Sequence, residues 1–301
     1  MKTLFLINPG SGRKRNTGKT IQIIGEVYQE AGIPFEARLI DFSCLNLTLE
    51  NAIREGVKNI FAVGGDGTVN AIGTRLIHRE VNFGVIPKGS GNGYARNLGF
   101  STHTRLAIGQ SLDAFSIKVD TGRFNDRPFL NVAGVGLDAE VAWHFSMGKS
   151  RGFVPYAKSS ADRLLAYQPE DYSVTIDGNP HVFHNIMGIA IANGTQWGYD
   201  AKISPEAKIT DGMLDIIVVH KFPLLKAGLI VGKLFSGQLR DSRYVEVFKG
   251  RHIFISRAHA GPAQIDGEPI DAAAEIEVQI VDKSLNVLLP NTLTEKKIIS
   301  L

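Results

Sequence analysis

The sequence predicts two parts in tandem: an α/β domain with a parallel sheet, then a β-rich domain that is mainly an antiparallel sandwich. Three observations carry this. Over about the first 120 residues, short β-rich runs alternate with stretches of helical spacing, the pattern of βαβ units. From about Ser116 onward strand follows strand, with only two helical stretches. Three glycine-rich loops follow strands of the first half, at the ends where open parallel sheets bind ligands. The expected boundaries are 1–120 for the first domain, joined by 290–301, and 121–289 for the second, with the active site in the cleft between them.

In order, Leu4–Ile7 is a strand by its apolar run, broken by Asn8-Pro9-Gly10-Ser11-Gly12. Thr20–Ala31 has helical spacing at Ile21, Ile24, Val27 and Tyr28 and stops at Gly32. Phe35–Ile40 reads as a strand, Leu45–Gly56 as a helix, Ile60–Val63 as a strand and Val69–Ile77 as a helix. Phe83–Ile86 is a strand closed by Pro87. The second half then gives strands at Ile117–Asp120, Phe129–Ala133, Tyr172–Ile176, Phe183–Ala192, Met213–Val219, Tyr244–Phe248, His252–Ser256, Glu275–Ile280 and Leu285–Leu289. Its two helical stretches are Val154–Tyr167 and Leu224–Leu239. Asp177-Gly178 between two strands is a hairpin signal.

With 44% hydrophobic and 21% charged residues, the composition is that of a soluble globular chain. No window approaches the roughly 18 apolar residues of a membrane span. The single cysteine, Cys44, excludes an internal disulfide framework and any cysteine-based zinc site, and favours the cytoplasm. A net charge of +3 suits anionic partners such as phosphates or acidic lipid headgroups. The basic residues are scattered and no recognition motif is present, so no nucleic acid is expected. A homodimer is left open.

The loops Asn8–Gly12, Gly64–Asn70 and Pro87–Gly93 are the candidate phosphate cradle. Glycine lets the backbone approach a phosphate, and a helix N-terminus behind the loop adds positive potential. Gly64-Gly65-Asp66-Gly67-Thr68 is the specific one, since five fixed residues match by chance on the order of once per million positions. Asp66 is its informative member. A carboxylate there would repel phosphate unless it meets Mg²⁺, a Mg²⁺-bound water or a nucleotide hydroxyl. Neither a Walker-type loop nor a Gly-x-Gly-x-x-Gly after the first strand is present.

On these residues the chain resembles the diacylglycerol kinase catalytic-domain family, which includes bacterial soluble lipid kinases, sphingosine kinases and ceramide kinases. Asn8-Pro9-Gly10-Ser11-Gly12 is similar to its opening motif, Gly64-Gly65-Asp66-Gly67-Thr68-Val69-Asn70 to its central one, and Pro87-Lys88-Gly89-Ser90-Gly91-Asn92 to its third loop. Asn131–Asp138, Lys208–Met213 and Ile265-Asp266-Gly267-Glu268 resemble later signatures, so the likeness runs nearly end to end. The resemblance implies ATP and Mg²⁺ between two lobes and a lipid hydroxyl, at a membrane surface touched transiently, as acceptor. It implies a catalytic base in the Asp-Gly-Glu element, Glu268 or Asp266. It also implies a structural Mg²⁺ on Asp211 and the main-chain carbonyls of Lys208 and Met213. The chain departs from the bacterial pattern at Gly93, where Asp is usual; sphingosine and ceramide kinases have a small residue there and Ser at the position of Ser90.

Phosphoryl transfer needs neutralised phosphates, an in-line hydroxyl and a proton acceptor. Mg²⁺ near Asp66, Arg13 of the first loop and Lys158 are the candidate cations, and Ser90, Asn92 and Asn70 complete the nucleotide set. Asp266-Gly267 is also a standard hairpin pair, so a plain turn stays open there. Trp143, Phe145, Phe153, Tyr156, Trp197 and Tyr199 could wall an acyl chain or simply pack the core. Three functions remain in view: a lipid kinase acting on diacylglycerol, a sphingoid base or ceramide; a kinase for a soluble acceptor such as NAD; and a non-catalytic nucleotide or lipid sensor.

Overall fold

Leu4, Phe5, Leu6 and Ile7 form an unbroken apolar run because the strand they build, β1 (Lys2–Ile7), is buried on both faces. The computed structural model describes residues 2–12, 16–147 and 152–292. It divides into two units, one holding the chain up to Val119 with the part from Lys283 on, the other Asp120–Asp282.

In the first unit β1 is followed by α1 (Thr17–Glu30), whose N-cap Asn16 accepts the Lys19 N–H at 3.1 Å. Next come β2 (Phe35–Leu39), α2 (Leu45–Arg54), β3 (Val57–Gly64), α3 (Asp66–Gly73), β4 (Asn82–Pro87), α4 (Gly93–Asn97) and α5 (Thr104–Gln110). The strands lie in the order β2-β1-β3-β4, all parallel. Each turns into a loop or helix at the same edge, which brings the three glycine loops together. Phe5 stacks on Phe61 and meets Tyr28 edge-on at 5.0 Å, tying α1 to the sheet.

β5 (Phe115–Phe124) leads into the second unit. There follow β6 (Arg127–Phe129), β7 (Val132–Gly136), α6 (Leu137–Met147), α7 (Phe153–Ala166), β8 (Glu170–Ile176), β9 (Asn179–Ala192) and β10 (Leu214–His220). α8 (Ala227–Ser236), β11 (Val245–Gly250), β12 (His252–Arg257), β13 (Gly261–Ile265), β14 (Glu268–Ala272) and β15 (Glu275–Leu289) complete it. The order is β14-β13-β7-β9-β8-β12-β15, antiparallel throughout, with β10 on β9 and β11 on β10. Strand alternation sends Ile189, Ile191 and Ile216 into a large core with Tyr172, Phe183 and Ile253. Their neighbours Ala190, Ala192 and Ile217 face a second cluster closed by Ile230 of α8, Leu239 and Val245. The end of β15 belongs to the first unit, where Val287 pairs in parallel with Phe83 of β4.

Four expectations are corrected. α6 was not expected: Leu137, Ala139, Val141, Ala142, Trp143 and Phe145 give it no single apolar stripe. α4 and α5, both short, were also missed. So were β13 and β14, in which Pro262 and Pro269 mask the β pattern. Glu275–Ile280 and Leu285–Leu289 are one strand, whose Asp282-Lys283-Ser284 stretch imitates a turn and holds Lys283 at φ 44°.

Candidate active site

β3 ends at Gly64 and α3 begins two residues later with Asp66 in its first turn, so the central loop is only as long as its glycines. The first loop is stitched to it: Asn8 Nδ2 donates to Thr68 Oγ1 at 2.8 Å, while Asn8 Oδ1 accepts the Gly10 N–H at 2.8 Å. Ser11 N–H closes that loop on Asn8 O at 3.2 Å. The third loop is stitched from the other side. Lys88 N–H donates to Gly64 O at 2.7 Å, and Asn92 N–H donates to Asp66 Oδ2 at 2.8 Å. Asn92, itself left-handed at φ 52°, spans its own loop by accepting the Gly89 N–H and donating to Gly89 O.

Two glycines are required by this contact. A Cβ on Gly89 would lie 2.5 Å from the Gly65 Cα, and one on Gly65 would lie 3.1 Å from the Gly89 Cα. The loops meet backbone to backbone, and their amides are left at the sheet edge beside the N-terminus of α3. Ser90 and Gly12 are exposed at the rim. Arg13 lies outside the described residues.

Lys88 is the cation that sequence reasoning passed over. Its side chain runs beside Gly12, its Nζ donates to Thr20 Oγ1, and burial pushes its pKa below the usual lysine range. The only sequence signal was a charged residue placed between Pro87 and the glycines.

In the second unit Asp266 and Gly267 are the two central residues of the β13–β14 hairpin, with φ 50° and 84° and Ile265 facing Glu268. This is the primed turn that Asp-Gly favours. The Asp266 carboxylate accepts three backbone N–H groups, from Leu130 at 2.9 Å, Asn131 at 2.8 Å and Val132 at 3.0 Å. Asp266 as the base is therefore corrected: its oxygens clamp the β6–β7 connection and are not placed to take a substrate proton. Glu268, one residue past the turn, is exposed.

Behind the turn stand two residues that the sequence did not single out. Buried Gln264 accepts the Gly267 N–H at 2.8 Å and donates through Nε2 to Asp138 Oδ2 at 3.2 Å. Burial raises the Asp138 carboxyl to about 7, against which the Gln264 hydrogen bond pulls only in part. Lys158 is exposed on α7, beside a shallow depression lined by His144, Pro155 and Arg163. Of the aromatics, Phe145 meets Tyr156 edge-on at 5.2 Å, and Tyr156 lies 6.1 Å from Tyr199. Trp197 packs on the second core cluster, and the side chain of Phe153 is outside the described residues.

The two metal expectations differ in fit. Among the described residues no three His, Cys, Asp or Glu side chains gather as a metal cluster. A Mg²⁺ arriving with nucleotide phosphates needs only one or two protein carboxylates, and Asp66 in the loop edge suits that. Asp211 does not suit a resident divalent ion. Lys249 Nζ lies 3.0 Å from Asp211 Oδ2 and 3.0 Å from Asp215 Oδ1, so an ammonium already holds that corner. The turn between Lys208 and Met213 is pinned by protein groups: Gly212 N–H donates to Asp120 Oδ2 at 2.8 Å, Gly212 O accepts from Arg251 at 2.6 Å, and Met213 N–H donates to Asp211 at 3.0 Å.

Comparison with known proteins places these elements. Residues 2–124 match the diacylglycerol kinase catalytic domain, and residues 131–289 match the YegS C-terminal NAD kinase beta sandwich-like domain. A diacylglycerol kinase of Staphylococcus carnosus is 28% identical over 271 residues, covering 88% of this chain and 87% of that protein. A YegS-like probable lipid kinase of Chromohalobacter salexigens is 29% identical over 225 residues, covering 72% of each. A crystal structure of a diacylglycerol kinase from Bacillus anthracis superposes with a TM-score of 0.74 over 97% of this chain and 98% of that one; at 18% identity this likeness speaks for the fold alone.

Proposed function

Because the chain belongs to the family that joins a diacylglycerol kinase catalytic domain to a YegS-type C-terminal domain, we propose that it is a lipid kinase, transferring the γ-phosphate of ATP to the hydroxyl of diacylglycerol or a related lipid. The observation that carries this reading is the three-loop edge: Gly65 against Gly89, Asp66 holding Asn92, and Asn8 holding Thr68. An edge built of abutting glycines offers backbone amides to a polyphosphate and admits no side chain into the space.

In this reading the loop amides and the α3 N-terminus bind the phosphates, and Lys88 neutralises charge from the third loop. Asp66 is the residue that would hold a Mg²⁺ bound with ATP, and the ion would supply neutralisation of the phosphate charge. Glu268 takes the proton of the lipid hydroxyl as that oxygen bonds to the γ-phosphorus and the bond to the bridging oxygen of ADP breaks. Asp266 fixes the hairpin that presents Glu268, and Gln264 holds the turn from behind. Lys158 and the Phe145–Tyr156–Tyr199 group are assigned to the lipid side.

The test is transfer of radiolabel from ATP to a panel of lipids in detergent micelles, with mass spectrometry of the product. Diacylglycerol phosphorylation that is lost in Asp66→Ala supports the reading. A sphingoid base or ceramide as preferred acceptor would shift the substrate in the direction that Ser90 and Gly93 favour. Labelling of NAD without detergent, or ATP binding with no transfer to any lipid, overturns it.

A further inference from the structure

Exposed apolar side chains gather on one short stretch of the second unit. Residues 224–236 form a 3-10 turn (Leu224–Lys226) running into α8. The inner side of α8 is used: Ile230 is buried and Leu234 packs with it against Leu239 and Val245. The outer side is not. Leu225 is 98% exposed and Leu229 56% exposed, with Leu224 and Val231 also open to solvent. Leu225, Gly228, Leu229 and Gly232 follow the i, i+3, i+4, i+7 spacing of a single helical stripe. A Cβ built on either glycine would meet nothing within 4 Å. An apolar surface of this kind marks an interaction site.

Charge selects the occupant. Residues 221–243 contain Lys221, Lys226, Lys233, Arg240 and Arg243 against Asp241 alone, a net charge of +4. The whole chain carries +3, so everything outside this segment sums to −1. A second copy docking face to face would bring the same basic rim against itself. A bilayer with anionic headgroups complements both features at once, apolar depth for the leucines and negative charge for the lysines. No helix among the described residues is long and apolar enough to cross a membrane, so this one would lie in the surface.

We infer that Lys221–Arg243 is the surface by which this protein docks on an anionic lipid bilayer. The inference names the bilayer contact of the lipid-kinase reading and rests on that reading for its purpose, but docking is measured without catalysis. The experiment is co-sedimentation with vesicles of equal parts phosphatidylglycerol and phosphatidylcholine, and with phosphatidylcholine alone. Wild type pellets with the mixed vesicles and is released by salt. Leu225→Asp/Leu229→Asp weakens binding at least about tenfold, the loss of one buried leucine or more. Lys221→Glu/Lys226→Glu weakens it by about fivefold or more per residue on anionic vesicles. Urea melts of both variants match wild type, since all four side chains are exposed. If both variants pellet like wild type, or if the leucine variant instead splits a dimer in sedimentation velocity, the inference falls. The two readings separate cleanly: vesicle binding lost in the variants with no kinase activity on any lipid sinks the kinase alone. Micellar kinase activity with vesicle binding untouched by either variant sinks the docking surface alone.

Discussion

On the proposed function, two carboxylates two residues apart in the β13–β14 hairpin have different tasks, and substitution separates them. Glu268 is exposed and its carboxylate has no partner among the described residues, so Glu268→Gln should lower kcat by roughly a hundred- to ten-thousandfold, the range of a lost general base, with an unchanged melt. Asp266 holds three amides of buried residues, each costing about 1–3 kcal/mol when orphaned. Asp266→Ala should therefore cost roughly 3 kcal/mol or more in urea unfolding and lose activity through the fold. Equal stability of the two variants would contradict this division. Asp138 gives a pH signature. Its folded carboxyl titrates near 7, whereas an unfolded Asp titrates near about 3.9, so in between the native state holds the extra proton. The neutral form's contribution is full below about pH 4 and is lost as pH rises through 7. Asp138→Asn, which cannot ionise, should flatten that decline in urea melts run across the window.

The loops act as one element because glycine lets two of them touch. Gly89→Ala would put a methyl 2.5 Å from the Gly65 Cα, too close for backbone to yield cheaply. It should cost about 1–3 kcal/mol and abolish the thermal shift produced by ATP, whereas Gly109→Ala, with open space around its Cβ, should do neither. The sequence disclosed these loops because glycine spacing is a local signal, and it disclosed the parallel strands because buried β runs are local too. What it hid was long-range. Lys88 matters through Gly12 and Thr20, and Gln264 through a carboxylate 126 residues earlier. Asp177-Gly178 shows the limit of motif reading. It is a hairpin of the same geometry as Asp266-Gly267, and its carboxylate likewise accepts two neighbouring amides, Arg251 and His252. Only the residue that follows, Asn179 in one and Glu268 in the other, distinguishes a turn from a candidate base.

At the scale of the whole chain, the first unit is completed by residues that arrive after the second. Leu285, Val287, Leu288 and Leu289 are all buried, Val287 pairs with Phe83, and Ser284 O accepts the His78 N–H at 2.7 Å. Local reading expected a strand at Leu285–Leu289 but could not name its neighbour, because the partner strand lies some two hundred residues away. Burying four such side chains contributes roughly 6–12 kcal/mol, comparable to the net stability of about 5–15 kcal/mol of an ordinary domain. A chain ended at Asp282 should therefore lose the folded first unit and with it all ATP-induced stabilisation, read by hydrogen exchange of β1 and β3. Val287→Asp in the full chain should do the same through one unpaired buried carboxylate. Retained protection of β1 and β3 in both would show that the parallel strands stand without β15.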